Sequence, residues 1–253
     1  MVNGGRHTAI VKSLILALML VFSGCTTIPE AELSDPIQDP WENFNRGMFE
    51  FNYKLDKAVL RPIAKGYNKI TPGPLQTGIE NFLSNLSYPK TIINLLLQGK
   101  PKQSAIGVGR FFINSTIGLV GFVDVASKAD IPKHSEDFGQ TLAKWGWQDS
   151  RYLMLPLLGP TTMRDGAGTR LVFGPDGYFD PINVLAREED EYLPLIFSVL
   201  STRARLLPQD STLDEAFDPY ILLRDAWLQQ RAFKIYDGEP PLPDYDDYLF
   251  EDE

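Results

Sequence analysis

The sequence predicts an all-α protein with little or no β-structure. Three observations carry this. Asp-Pro pairs, which suit the first turn of a helix, recur at Asp39-Pro40, Asp180-Pro181 and Asp218-Pro219. Apolar residues at spacings of three and four, the period of an amphipathic helix, fill most of the chain between turns. Only one run, Arg151 to Leu155, reads as extended.

The totals narrow the function classes. The chain has 253 residues, 43% of them hydrophobic, enough for a sizeable core. A formal net charge of −9, with no dense Lys/Arg stripe, argues against a nucleic-acid partner. One cysteine and two histidines leave no disulfide framework and no Cys/His metal site, so no metal or other cofactor is expected.

The elements follow in order. Arg6 and Lys12 precede the apolar run Leu14 to Phe22, and then comes Ser23-Gly24-Cys25. A basic start, a short apolar run and small residues before cleavage make residues 1–24 a secretory signal. The lone cysteine at the cleavage point is similar to a bacterial lipobox, with Phe22 where Leu is usual. That makes Cys25 the lipid-carrying first residue of the mature protein. Thr26 fits export to the outer membrane, since Asp at that place commonly retains a lipoprotein at the inner one. Losing Arg6 and Lys12 takes the net charge from −9 to −11. Residues 25–38 have no sustained period and read as a lipidated tether.

Asp39, Pro40 and Glu42 have the spacing of a capping box, opening a helix to about Leu60. Trp41, Phe44, Met48, Phe51 and Leu55 form its aromatic stripe. Arg61-Pro62 marks a turn into a short helix over Pro62 to Lys69. Thr71-Pro72-Gly73-Pro74 stops that helix. Two further helices are expected over Leu75 to Leu86 and Pro89 to Gln98, the second ending on Gly99. Pro101 starts an arm to about Gly118, and Phe122 to Lys128 forms a second arm after the turn. Asp137 to Trp145 reads as a helix with Ser135 as a cap. Leu158-Gly159-Pro160 turns into a helix from Thr161 or Thr162 to Phe173. Gly174 to Gly177 is a turn, Asp180 to Arg187 a short helix, Asp190 to Leu206 a longer one, and Asp218 to Tyr236 the last. Asp237 to Glu253 holds eight acids and no Lys or Arg, and reads as a solvated, disordered tail.

The stretch Ala105 to Ala126 stands out. It carries only Arg110 and Asp124 as charges, and is broken by Gly107, Gly109, Gly118 and Gly121. It is too interrupted for a membrane span, and too apolar for a water-facing helix. The window alone allows a buried core helix or a hairpin that sits in lipid without crossing it.

Nothing resembles a catalytic set. There is no Gly-x-Ser-x-Gly nucleophile elbow and no phosphate loop. His134 lies in a polar loop and reads as a surface histidine. Arg164-Asp165 and Arg224-Asp225 are sequence neighbours that should point apart on a helix and pair with other elements instead. The expectation is a binding or conduit protein, not an enzyme.

The run Asp39 to Arg46, followed by Phe49, Phe51-Asn52, Leu55-Asp56, Leu60-Arg61-Pro62 and Tyr67, resembles the MlaA (VacJ) family of outer-membrane lipoproteins. So do Phe111 to Thr116 with Gly118, Gly121 and Asp124; Asp137 to Leu142 with Trp145-Gly146; Leu155 to Pro160 with Arg164-Asp165; and Arg224-Asp225 with Leu228-Gln229. The resemblance runs from about Asp39 to Tyr236.

It implies a single ring-shaped helical domain over residues 39–236, lying in the periplasmic leaflet of the outer membrane of a Gram-negative bacterium. It implies removal of phospholipids misplaced in the outer leaflet, through an amphipathic channel, to keep the outer membrane asymmetric. The implied partners are phospholipids, an outer-membrane porin trimer and the soluble periplasmic lipid carrier of the Mla system. The alternative is a porin-associated structural lipoprotein without transport. Ala105 to Ala126 then becomes a re-entrant hairpin framed by Gly118 and Gly121. Its channel or membrane residues are Arg110, Phe111, Phe112, Ile113, Asn114, Ile117, Gly118, Leu119, Val120, Gly121, Phe122, Val123 and Asp124. Leu119-Val120 and Ser127 to Lys133 fall where the family has a flexible segment, so a gate is expected there. Arg110, Asn114 and Asp124 are expected on the wet side of the channel or pinning the hairpin. Asn43 and Phe44 are expected as a functional pair at the edge of the aromatic face.

Overall fold

Helices dominate the fold, a computed structural model that describes residues 39–147, 150–167 and 193–241. In order they are α1 (Glu42–Leu55), a π-helical turn (Asp56–Leu60), α2 (Arg61–Ile70), α3 (Gly73–Leu97), α4 (Pro101–Thr116), α5 (Val125–Lys128) and α6 (Phe138–Lys144). Strands β1 (Tyr152–Leu155) and β2 (Gly159–Thr162) follow, then α7 (Leu193–Leu206), a 3-10 turn (Leu207–Gln209), α8 (Asp210–Asp214) and α9 (Pro219–Ile235). The signal segment, Cys25 and its tether, the expected turn at Gly174, the helix at Asp180 and residues 242–253 lie outside the described residues.

The expected break at Arg61-Pro62 is absent, and α1 runs through the π turn into α2. Pro62 lacks an N–H and its ring crowds the carbonyl four residues back. Widening the preceding turn to a π geometry makes room for it without stopping the helix. The two helices expected over Leu75 to Leu86 and Pro89 to Gln98 are likewise one, α3, with Pro89 inside it. Packing against α4 offsets the lost backbone bond. Ser104 Oγ donates to the Ile92 carbonyl at 3.0 Å. At Gly107 an added Cβ would stand 3.2 Å from Ile92 Cγ1, so the small residue sets the helix spacing.

The capping box at Asp39 does not form. The helix starts at Glu42 after Trp41, without a side-chain cap. Asp39 is buried and accepts from Asn45 Nδ2 at 2.7 Å and from the Tyr220 hydroxyl. A buried carboxylate gains more from those donors than from a solvent-accessible helix end. The face of α1 is thereby inverted. Glu42 and Asn45 are buried, whereas Trp41 is 41% and Phe44 50% exposed. Met48 and Phe49, on the shoulder between the faces, pack on the core of Tyr152, Met154 and Tyr220. A second core joins Ala64 and Tyr67 of α2 to Ala204 of α7.

β1 pairs antiparallel with β2, Tyr152 opposite Thr162 and Leu155 opposite Gly159. Thr161 and Thr162 therefore belong to a strand, and residues 163–167 are helical. Leu157 at φ 66° and Gly159 at φ 78° turn the chain back on itself, which the helical reading of this segment missed. Asp137, and not Ser135, caps α6. Its carboxylate accepts from Gln140 N at 3.0 Å while Gln140 Oε1 accepts from Asp137 N. Asp218 caps α9 as its sequence predicts, accepting from Tyr220 N and Ile221 N. The first residues of the expected tail are folded: Gly238 N donates to Phe233 O at 2.8 Å, and Asp237 pairs with Lys100.

Candidate functional site

The site is built on the hairpin between α4 and α5. After Thr116 the chain turns through Leu119 and Val120, both at positive φ (53° and 59°), and Gly121 at φ 94°. Left-handed backbone is unfavourable for Leu and more so for β-branched Val. Glycine is needed at two places. A Cβ on Gly118 would stand 2.3 Å from the Val123 carbonyl oxygen, and one on Gly121 2.4 Å from Asn85 Cβ. The turn is closed by Gly121 N donating to Asn114 O at 2.7 Å and Val123 N to Gly118 O at 2.8 Å.

Arg110, Asn114 and Asp124 come together inside this turn. Arg110 is buried and donates from Nη2 to Asp124 Oδ1 at 2.6 Å and to Ser127 Oγ at 2.6 Å, and from Nη1 to the Ile131 carbonyl at 2.6 Å. Asn114 Nδ2 donates to Asp124 Oδ1 at 3.0 Å, and its Oδ1 accepts from Ala126 N at 2.9 Å. Asp124 also caps α5. Burial opposes its ionisation, but the Ser127 and Asn114 hydrogen bonds and the Arg110 charge outweigh burial and hold its carboxyl below the usual range. These groups pin the hairpin's two arms to each other. They also line a polar cavity of ≈ 10 Å³, room for about one water, with Asn81, Ser84, Asn85 and Tyr88 on its α3 side.

The outer face is apolar. Phe112 is 60%, Ile117 69%, Leu119 69% and Val120 63% exposed. Phe111, Ile113 and Val123 are half-buried, and Phe122 lies over α3 at Gly78. Asn43 and Phe44 sit exposed on α1 and take no part in the Arg110 cluster. Among the described residues no helix is long and apolar enough to cross a membrane.

The α3 stripe Asn81, Ser84, Asn85 and Tyr88 was missed by the sequence reading, although its spacing of three, one and three marks one helix face. The adjacent pairs also behave differently from expectation. Arg164 Nε bonds Asp165 Oδ1 at 3.1 Å and Arg224 Nε bonds Asp225 Oδ1 at 2.8 Å, because the long Arg side chain folds back over its own helix. Both pairs reach other elements too, Asp165 to Arg231 and Arg224 to Asp39. His134 is half-buried, its amide donating to the Tyr88 hydroxyl at 3.3 Å.

A family model described as MlaA lipoprotein matches residues 37–234. The chain belongs to the MlaA lipoprotein family. It is 36% identical over 206 residues to the intermembrane phospholipid transport system lipoprotein MlaA of Escherichia coli (strain K12), covering 79% of this chain and 80% of that protein. The MlaA of Haemophilus influenzae is 32% identical over 233 residues, 90% of this chain and 92% of the relative. A solved structure presented as the structural basis for maintenance of bacterial outer membrane lipid asymmetry superposes with a TM-score of 0.69 at 36% identity, over 78% of this chain and 98% of that one. The MlaA match includes the hairpin, the Arg110 cluster and the inverted α1, and ends before the acidic tail.

Proposed function

We propose that this MlaA-family protein is a phospholipid conduit that maintains outer-membrane lipid asymmetry. One observation carries the reading: the hairpin turns apolar side chains outward and folds its charges inward. Such a body is suited to lying at acyl-chain depth with its polar groups satisfied internally. A lipid moving across a leaflet needs the same pairing, apolar surface for its tails and polar groups for its head. The relatives are named for intermembrane phospholipid transport, in line with this role.

In this reading Cys25 carries the lipid anchor in the periplasmic leaflet. Phospholipid misplaced in the outer leaflet passes inward beside the hairpin. A porin trimer holds the protein in place, and a soluble periplasmic carrier takes the lipid. No covalent bond of the lipid is made or broken. The test is transfer of labelled phospholipid from proteoliposomes holding the protein to a purified carrier. Transfer above protein-free liposomes, with no lysophospholipid or fatty acid released, is the expected result. Co-purification with porin but no transfer would make it a scaffold, and release of fatty acid would make it a lipase.

A further inference from the structure

The polar cavity under the hairpin has a side that the Arg110 cluster leaves unused. Its volume of ≈ 10 Å³ admits a single oxygen atom, whether of water or of a ligand. On the hairpin side the charged acceptor is saturated. Asp124 Oδ1 accepts from Arg110 Nη2, Asn114 Nδ2 and Ser127 N, and its Oδ2 accepts from Arg110 Nη2 and Ser127 Oγ. A carboxylate offers about four lone-pair sites, so none is left over for the cavity.

The opposite side offers donors. Tyr88 is 5% exposed, and its hydroxyl oxygen accepts from His134 N at 3.3 Å. Its own O–H donates to no group among the described residues, and neither does that of Ser84 beside it on the same helix face. Asn81 Nδ2 spends one hydrogen on the Phe122 carbonyl at 3.4 Å and keeps the other. Lys133 lines the same cavity, is exposed, and takes part in no ion pair among the described residues. Asn81 and Asn85 also bring amide oxygens, which are neutral. The charges of Arg110 and Asp124 cancel, so Lys133 leaves the lining with one positive charge. A phosphodiester spreads its negative charge over a pair of non-bridging oxygens. One of them fits the cavity against the Tyr88 and Ser84 hydroxyls, and the other stays at the mouth beside the Lys133 ammonium. The carbonyls that Asn81 and Asn85 bond belong to Phe122 and Val120, so the cavity adjoins the apolar rim of the hairpin.

We propose that this cavity and Lys133 bind the phosphate of a phospholipid headgroup, with one non-bridging oxygen inside and one at the mouth. The assignment rests on the transport reading above and names the part of the headgroup that the protein holds. Because the phosphate is common to phospholipids, the site separates them from neutral diacylglycerol and not from one another. The acyl chains then lie along the rim at Val120 and Phe122.

The test uses the full lipidated protein in a non-ionic detergent, titrated by native mass spectrometry with dihexanoyl-phosphatidylglycerol and with dihexanoylglycerol, which lacks the phosphate. Lys133→Gln removes one charge-assisted hydrogen bond and should weaken binding of the phospholipid about tenfold. It should leave binding of dihexanoylglycerol unchanged, and Lys133→Arg should restore the phospholipid. Lys128→Gln removes an exposed lysine that does not line the cavity and should change neither. Both lysines are exposed, so the variants fold, and an unchanged Tm checks this. Phospholipid binding that survives Lys133→Gln, or that falls equally in Lys128→Gln, overturns the phosphate assignment and leaves transport standing. Displacement of the phospholipid by an equal concentration of inorganic phosphate makes this a free-phosphate site and overturns the lipid assignment. Binding of neither lipid by the parent protein removes the transport reading with it.

Discussion

Phe122 of the hairpin rests directly on the backbone of Gly78 in α3: a Cβ at Gly78 would come within 2.1 Å of the ring's Cζ. Asn81 and Asn85, one and two turns further along α3, then bond the Phe122 and Val120 carbonyls. The hairpin is thus docked on α3 by one ring, two amides and a missing methyl group.

Gly78→Ala should dislodge that ring and loosen the hairpin, at a cost of about 1–3 kcal/mol. Hydrogen exchange over residues 117–124 reads it directly. Protection equal to the parent's would show that Phe122 re-packs without consequence.

Asp124→Asn should cost more. It leaves the buried Arg110 guanidinium without its counter-charge, and breaking a buried pair from one side costs about 3–5 kcal/mol. The double variant Arg110→Met with Asp124→Asn removes both charges and should recover most of the lost Tm. Failure of the double variant to recover stability would mean that the pair does more than satisfy itself.

Acid should act through the same carboxyl. Asp124, Asp137 and Asp218 are each held below the usual carboxylate range: burial opposes ionisation, and hydrogen bonds from Ser127, Arg231 and Arg46 respectively outweigh it. A carboxyl depressed in the folded state stabilises fully above its unfolded value, about 3.9. That contribution disappears as pH falls through the folded value. Tm should be flat through these groups between about pH 5 and 7 and drop below about pH 4. A Tm unchanged down to about pH 2 would contradict it.

Phe112→Gln and Leu119→Gln should leave the unfolding free energy within about 0.5 kcal/mol of the parent's, because both side chains are exposed in the folded protein. Each should weaken attachment to liposomes, since burying such a side chain in an apolar phase is worth about 1.5–3 kcal/mol. Flotation of a Cys25→Ser variant, which cannot carry the lipid anchor, isolates this term. Equal flotation of Phe112→Gln and its parent would place the rim in water.

The sequence was most legible where one residue's backbone chemistry decides the structure. Asp218 followed by Pro219 opens a helix in the structure as in the sequence, and Gly118 and Gly121 frame the turn. It is silent on which way a helical stripe faces, and it misleads on the cap. Trp41 and Phe44 keep the helical period and face outward, and Asp39 serves Asn45 and Tyr220 instead of a helix end. Partners 181 residues apart leave no local trace. Pro62 and Pro89 predict new helices after a break because proline's cost is local, while the packing that offsets it is tertiary. The pairing of Arg231 with Asp137 and Asp165 leaves no local trace for the same reason, since these acids sit 94 and 66 residues away.

The inverted distribution of side chains also determines how the protein meets temperature. Among the described residues the fully buried apolar side chains are mainly alanines and tyrosines, such as Ala64, Ala126, Ala204, Tyr88 and Tyr152, while Phe112, Ile117 and Leu119 stay outside. Unfolding therefore uncovers less new hydrocarbon than it would from a core of leucine and phenylalanine. The heat-capacity increment should fall below the usual value of about 12–15 cal/mol/K per residue, giving a broad stability curve. Cooling weakens apolar attraction. In a cold envelope, apolar attachment of the kind proposed above would slacken first, while the charged interior keeps its shape.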